Sequence, residues 1–366
     1  METKGNRGEW SEIYALFRLL GEGKVHAGDA KLNKLKLFYP ILNVIRQETI
    51  RHQQQGLFNY KLNKEQHLVI INENGSEYAR IPMNDFMRES ENLLNSIIDS
   101  HERAFAVPAT ERFMRKVGCT KLKATDGGKA DIHIVIHDLR TNMTPLLGFS
   151  IKSQLGSPAT LINAGQTTNI SYQVCGGEMS DEDIAEINAI RGHLPRMAEI
   201  MKRGYTLRYH DVDNPTFKNN LLFLDMCMPE FIAACLICDS TPNSTSIISE
   251  AVEIVARNNP FSFTGKDVQA FYEHKMKVLL IDAALGMTPA KEWKGKYDAN
   301  GGYLVVKENG DLVCYHFYNR NDVEDYLYYN TRFERGSRSR HRFGNLYRGN
   351  DGNVYIKLNL QVRFQK

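Results

Sequence analysis

Residues 129–164 read KADIHIVIHDLRTNMTPLLGFSIKSQLGSPATLINA. Ile132, Ile134 and Ile136 alternate with His133, Val135 and His137, which is the period of a strand. Leu139 to Thr144 holds Asn and Thr and reads as a turn. Pro145 then leads into a second apolar run ending Phe149-Ser150-Ile151-Lys152. Pairing Asp138 with Pro145 across the turn sets Asp131 opposite Lys152 and His133 opposite Ser150. Residues two apart share a sheet face, so Ser150 and Gln154 join Lys152 there. The expectation is one sheet face carrying a carboxylate, a lysine and two polar groups.

Such a set suits phosphodiester hydrolysis, which needs an oxygen-rich metal site, an attacking water and a cation against developing negative charge. Mg²⁺ takes one or two carboxylates and keeps several waters. Asp131 offers the carboxylate, the Ile151 carbonyl a second oxygen, and Lys152 the cation. The plainer alternative is a surface Asp–Lys pair across a hairpin, worth little by itself. A nucleophilic Ser150 activated by Lys152 fits poorly, because Ser/Lys hydrolases of the SxxK type use another spacing. Upstream, residues 8–20 have the apolar spacing of an amphipathic helix, with Glu9 and Glu12 close on one side. Glu12 is the candidate second carboxylate; the alternative is two solvated acids favoured by the helix dipole.

The arrangement resembles the PD-(D/E)XK nucleases, in which an Asp and an (E/D)-x-K lie on neighbouring strands. Ser150 departs from that pattern, standing where a carboxylate is usual. The run GFSIKSQLGSPATLINAG with TTNISY (167–172) resembles the HpaII family of type II restriction endonucleases. So do GNRGEWSEIY (5–14), Gly301-Gly302-Tyr303, Tyr326-Leu327 with Thr331 and Glu334, and YIKLNLQVRF (355–364). The resemblance implies Mg²⁺-dependent cleavage of double-stranded DNA at a short palindrome, CCGG in the founding member, by Asp131, Ser150 and Lys152. It implies a bacterial cytoplasmic enzyme, a cognate DNA methyltransferase as genetic partner, and a homodimer as one route to double-strand cutting. The Ser150 departure leaves a second reading, a catalytically weakened DNA-binding protein of the same fold.

The 366-residue chain has net charge +3, unevenly spread. Residues 329–366 carry nine Lys or Arg against two acids, Glu334 and Asp351. A basic tail beside a more acidic body suits phosphate binding. Arg332, Arg335, Arg338 and Arg340 are candidate DNA contacts, to phosphate more than to guanine. Thr160, Asn163, Gln166, Thr168 and Asn169 follow the lysine strand and offer amides and hydroxyls to base edges. Cys235 and Cys238 lie in an apolar helical run and read as buried thiols, not a zinc pair. The apolar stretch 221–238 is broken by Asp225, Pro229 and Glu230 and makes a poor membrane span.

The expected fold is α/β (α+β): a restriction-endonuclease-like PD-(D/E)XK core with a mixed sheet flanked by helices, plus helical and C-terminal β-containing additions. The expected division is 1–175 with the core, built from the first helix and residues 80–175; 176–300 helical; and 301–366 a basic DNA-binding segment. Helices are expected at 41–55, 84–106, 110–117, 180–203, 219–238 (interrupted at Pro229), 247–258 and 266–285, and strands at 68–71, 302–307, 312–318 and 353–364.

Overall fold

The computed structural model describes residues 3–49, 55–123, 130–139, 141–241, 245–297 and 299–365. They form two compact units: residues up to 159 with 297–326, and residues 160–296 with 327–365. The chain is a mixed α and β protein with several sheets.

The first unit opens with β1 (Lys4–Gly5) and helix α1 (Arg7–Glu22). Asn6 and Glu9 start that helix as a reciprocal capping box, and Gly23 ends it at φ 66°. Strands β2 (Lys24–Gly28), β3 (Lys34–Thr49), β4 (Gln55–Asn63), β5 (Leu68–Glu73) and β6 (Ser76–Pro82) follow in sequence. Then come α2 (Met83–Asp99), β7 (Phe105–Ala106), α3 (Pro108–Lys116), and the hairpin of β8 (Ile132–Ile136) and β9 (Leu146–Ser153).

The second unit begins with β10 (Thr160–Ile162), β11 (Asn169–Cys175), α4 (Asp181–Ala189), α5 (His193–Lys202) and β12 (Thr206–Val212). Helices α6 (Pro215–Leu224), α7 (Met228–Ser240), α8 (Ile248–Asn258) and α9 (Val268–Leu285) follow. The chain returns to the first unit for β13 (Gly302–Val306) and β14 (Leu312–His316), and helix α10 (Arg320–Tyr329) comes next. It ends in the second unit with β15 (Thr331–Phe333), α11 (Arg338–His341), β16 (Leu346–Arg348), β17 (Val354–Asn359) and β18 (Val362–Phe364). No single helix among the described residues is long and apolar enough to cross a membrane; α6 and α7 meet at 103°. All six cysteines are free, and burial holds the Cys235 thiol well above its ordinary range.

The sheet that carries the hairpin has nine strands in the order β2-β14-β13-β9-β8-β3-β4-β5-β6. Because β2 also pairs with β3, six of them close into a circuit. Strand β13 runs parallel to β9, and the other neighbours of the hairpin are antiparallel. One face packs Ile132, Ile134, Ile136, Phe149, Ile151, Leu304 and Val306 into a core with Trp10, Ile13, Phe17 and Leu20 of α1. Full burial of each of these aliphatic or aromatic side chains stabilises by about 1.5–3 kcal/mol. This places the first turns of α1 against the hairpin.

Four expectations are corrected here. Residues 41–49 do not form the expected helix, and positions 50–54 of that expectation lie outside the described residues: 34–49 is one strand, whose first half pairs with β2 and whose second half pairs with β8 and β4. The hairpin register is shifted by two from the expected one. Ile132 faces Phe149, His133 faces Gly148, and an Asp138–Met143 bridge tightens the turn. The helix expected over 180–203 is two helices, split where Gly192 takes φ 98°. The fully buried Arg196 donates to the carbonyls of Ile187, Asn188 and Ile190, closing the C-terminal end of α4. Finally, the sheet is wider than residues 80–175: strands from 24–82 and from 302–316 belong to it.

Candidate active site

Three sequence candidates meet at the end of the hairpin. The Asp131 N–H donates to the Phe149 carbonyl at 2.8 Å, continuing the β8–β9 ladder one step past β8. That step sets Asp131 against Ser150, not Lys152. The Ser150 hydroxyl donates to Asp131 Oδ2 at 3.0 Å, and the Ile151 N–H donates to the same oxygen at 2.7 Å. Lys152 Nζ in turn donates to Ser150 Oγ at 2.9 Å. A shift of two residues preserves side-chain parity, so Asp131, Ser150 and Lys152 keep the common face the spacing predicted. A residue's N–H and C=O leave an extended strand on the same edge, which directs the Ile151 carbonyl toward Asp131.

Glu12 acts on this group electrostatically, whereas the Glu9 carboxylate is engaged at the helix cap. The Glu9 carboxylate accepts from the Asn6 N–H at 2.9 Å and lies 3.8 Å from Lys123 Nζ. Ser11, next to Glu12, bonds to Ser153 of β9 at 2.8 Å, which ties this turn of the helix to the lysine strand. Burial first, and then the Asp131 carboxylate, push the Glu12 carboxyl up to about 8; Lys123 and Arg46 oppose them. Burial holds the Lys152 ammonium below its ordinary range, while Asp131 and Glu12 pull the other way. The Asp131 and Glu12 carboxyls thus act on each other electrostatically in a partly desolvated site, and a cation bound there would relieve their repulsion.

Among the described residues no group of three His, Cys, Asp or Glu side chains is arranged to hold a metal. Two carboxylates and a carbonyl match the sparse protein ligation of Mg²⁺ better than a zinc or calcium cage. Gln154 does not join the cluster: its N–H donates to Val306 at 2.9 Å, and its side chain has no hydrogen bond among the described residues. Sequence reasoning missed Lys123, whose charge acts on both Glu12 and Lys152. It is exposed, but its loop is anchored from beneath. Arg46 donates to the carbonyls of Lys121 and Leu122 at 2.6 and 3.0 Å and pairs with the buried Glu48. Glu48 accepts from the N–H and hydroxyl of Thr120 at 2.9 and 2.6 Å. Past the end of β9, a polar cleft of about 770 Å³ is lined by Arg7, His101, Arg103, Gly156 and Ser157 among others.

The candidate DNA contacts all lie in the second unit, and they divide by burial. Thr168 and Asn169 are buried and bonded to Asn359, and Asn169 also donates to the His341 carbonyl at 2.9 Å. Their side chains hold the β11–β17 junction. Thr160 accepts from Arg363 at 3.1 Å, whereas Asn163 and Gln166 are exposed. Arg335 is engaged bidentately by Asp239, at 3.0 and 3.1 Å, and Arg332 pairs with Glu334 at 2.9 Å. Arg340 is exposed, and Arg338 is half-buried.

No solved structure matches the chain. A family model described as HpaII restriction endonuclease matches residues 6–364. The chain is 43% identical over 361 residues to the type II restriction enzyme HpaII of Haemophilus parainfluenzae, covering 98% of both chains. With the match running from the capping residue of α1 to the last strand, the chain belongs to the HpaII restriction endonuclease family.

Proposed function

We propose that this protein is a type II restriction endonuclease that hydrolyses double-stranded DNA at a short palindrome, with a PD-(D/E)XK-type core and Mg²⁺ as its ion. The observation that carries the reading is the chain of contacts from Lys152 through Ser150 to Asp131, in a member of a restriction-enzyme family. Asp131, Glu12 and the Ile151 carbonyl are the residues that would hold the ion. When bound, it supplies Lewis acidity at the phosphate and lowers the pKa of a coordinated water.

The chain's own groups do the rest. Ser150 and the Ile151 N–H fix one oxygen of Asp131. Lys152 keeps two further donors beyond its bond to Ser150, enough to orient a water and to screen a phosphoryl oxygen. Glu12, held largely protonated near neutral pH, would give up its proton as the ion arrives. The exposed Asn163 and Gln166 are the remaining recognition candidates, with Arg338, Arg340 and the cleft beside Arg7 as phosphate contacts. A CCGG-like target, a homodimer, a bacterial cytoplasmic setting and a partner methyltransferase are the accompanying expectations.

Ser150 in place of a carboxylate favours one alternative, a DNA-binding protein with weakened catalysis. Incubation with a mixed-sequence plasmid library and Mg²⁺, followed by sequencing of the ends, separates the two. Discrete ends at one palindrome support the endonuclease; an intact library that is nevertheless bound supports the alternative. Lys152→Ala is expected to keep DNA binding and lose cleavage by at least about a hundredfold. Undiminished cutting by that variant would remove the proposed site.

A further inference from the structure

We infer that Tyr303 is a positioning residue for Lys152, its ring forming the platform that holds the ammonium over Ser150. The inference rests on the reading of Lys152 given above. Tyr303 is the parallel register partner of Ser150 on β9, so its side chain stands on the catalytic face beside that hydroxyl. Its neighbours Leu304 and Val306 turn the other way, into the core under α1. The Lys152 Nζ lies 5.2 Å from the centre of the Tyr303 ring, within cation–π range. Tyr303 is almost wholly buried, which removes the water that weakens such contacts at a surface.

Tyr315, the register partner of Tyr303 on β14, stacks on Tyr326 with centroids 4.0 Å apart and planes 14° from parallel. The glycines before Tyr303 make the seating possible. Gly302 has φ 107°, and a Cβ there would meet the Tyr315 carbonyl oxygen at 2.0 Å; one on Gly301 would meet the Gly148 carbonyl at 2.8 Å. Only glycine lets β13 lie this close to both neighbours. The Gly301-Gly302-Tyr303 run thus has a structural purpose directed at the site.

The electrostatic reason for an aromatic ring here is specific. Asp131 and Glu12 both attract the Lys152 ammonium. An ion pair with either would occupy the donors needed for a water or a phosphate. A ring face stabilises the cation without accepting its N–H bonds, so the ammonium stays near Ser150 with its donors available.

The test compares Tyr303→Phe with Tyr303→Leu by single-turnover cleavage of a cognate duplex in Mg²⁺, with duplex affinity measured in Ca²⁺. Both variants lack the hydroxyl, so their ratio isolates the ring. Leucine is expected to be slower than phenylalanine by about fivefold to thirtyfold, with affinities equal within about twofold. Equal rates, or a loss shared by rate and affinity alike, would overturn the inference. Where thermal melting shows that the leucine variant is poorly folded, Tyr303→Met takes its place. A readout that needs no Tyr303 substitution is the NMR shift of the Lys152 ε-methylene protons in the wild-type protein, assigned through Lys152→Ala. An upfield ring-current displacement is expected, and its absence overturns the inference. If Lys152→Ala itself cleaves normally, the functional reading fails; if that variant is inactive while phenylalanine and leucine behave alike, only the Tyr303 inference fails.

Discussion

The Ser150 hydroxyl donates to Asp131 Oδ2 while accepting from Lys152 Nζ, so one oxygen atom joins the acid to the base. A serine placed between a carboxylate and an ammonium can orient both, and the proposed function gives it that role. Ser150→Ala is therefore expected to slow single-turnover cleavage by about tenfold, the worth of one hydrogen bond to a charged group. Duplex affinity should be unchanged. Residual cutting at that level is incompatible with a covalent seryl intermediate, whereas abolition of cutting by Ser150→Ala would reopen it.

The raised carboxyl of Glu12 makes a signed prediction for stability. Its ordinary value is 4.5 and its folded value about 8. Between these pH values the native state retains a proton that the unfolded chain has lost. Stability from this group is complete below the lower value and is lost as pH rises through the upper one. Glu12→Gln removes that dependence. The melting temperature of the variant is expected to gain on the wild type by about a few kelvin between pH 5 and 8 in metal-free buffer. Ca²⁺ binding near pH 7 is expected to release about one proton from the wild type and fewer from the variant. Parallel pH curves for the two proteins would show that Glu12 is ordinarily ionised.

The hairpin was legible because its isoleucines alternate without interruption. Its register was not, because the turn is tighter than its composition indicates: Asn142 takes φ 55° and Asp138 bridges Met143. The error was harmless to the site, since a slip of two leaves every side chain on its original face. Strand β3 was misread for a different reason. Along 44–48 the buried positions are Val44, Arg46 and Glu48. Two of the three are charged, so the alternation is invisible to any count of apolar residues. Ile41, Val44 and Ile45, by contrast, fall at helical spacing. The buried ion pair was thus the hidden signal of a strand. Tyr303 escaped as a site residue because its partner strand lies about 150 positions earlier, and nothing local indicates a parallel pairing at that separation.

The basic C-terminal run was legible as charge but not as role. Arg335 faces Asp239, whose side chain is 5% exposed. Arg335→Ala strands a buried carboxylate and is expected to cost about 3–5 kcal/mol of stability in urea unfolding. Arg340→Ala leaves no such charge behind. It is expected to change stability by less than about 0.5 kcal/mol while weakening duplex binding and reducing the salt slope by about one counterion. If Arg340→Ala binds DNA as the wild type does, with the same salt slope, the exposed end of α11 is not a phosphate contact.

Arg46 and Glu48 form an ion pair whose side chains are 3% and 0% exposed, and they hold the loop that presents Lys123. A buried pair contributes little net stability relative to an apolar pair of similar shape, but removing one partner leaves an uncompensated charge in the core. Glu48→Gln is therefore expected to cost about 3–5 kcal/mol, and Arg46→Met with Glu48→Leu less than the sum of the singles. The double variant separates folding from function. It restores an apolar packing, yet it loses the donors to the Lys121 and Leu122 carbonyls and the acceptor for Thr120. With the loop untethered, Lys123 no longer has a fixed place beside Glu9 and Glu12. The double variant is expected to melt nearer the wild type than Glu48→Gln does while cleaving more slowly than the wild type at saturating enzyme. Full cleavage by a stable double variant would mean that the position of Lys123 does not matter to the reaction, and that the pair serves the fold alone.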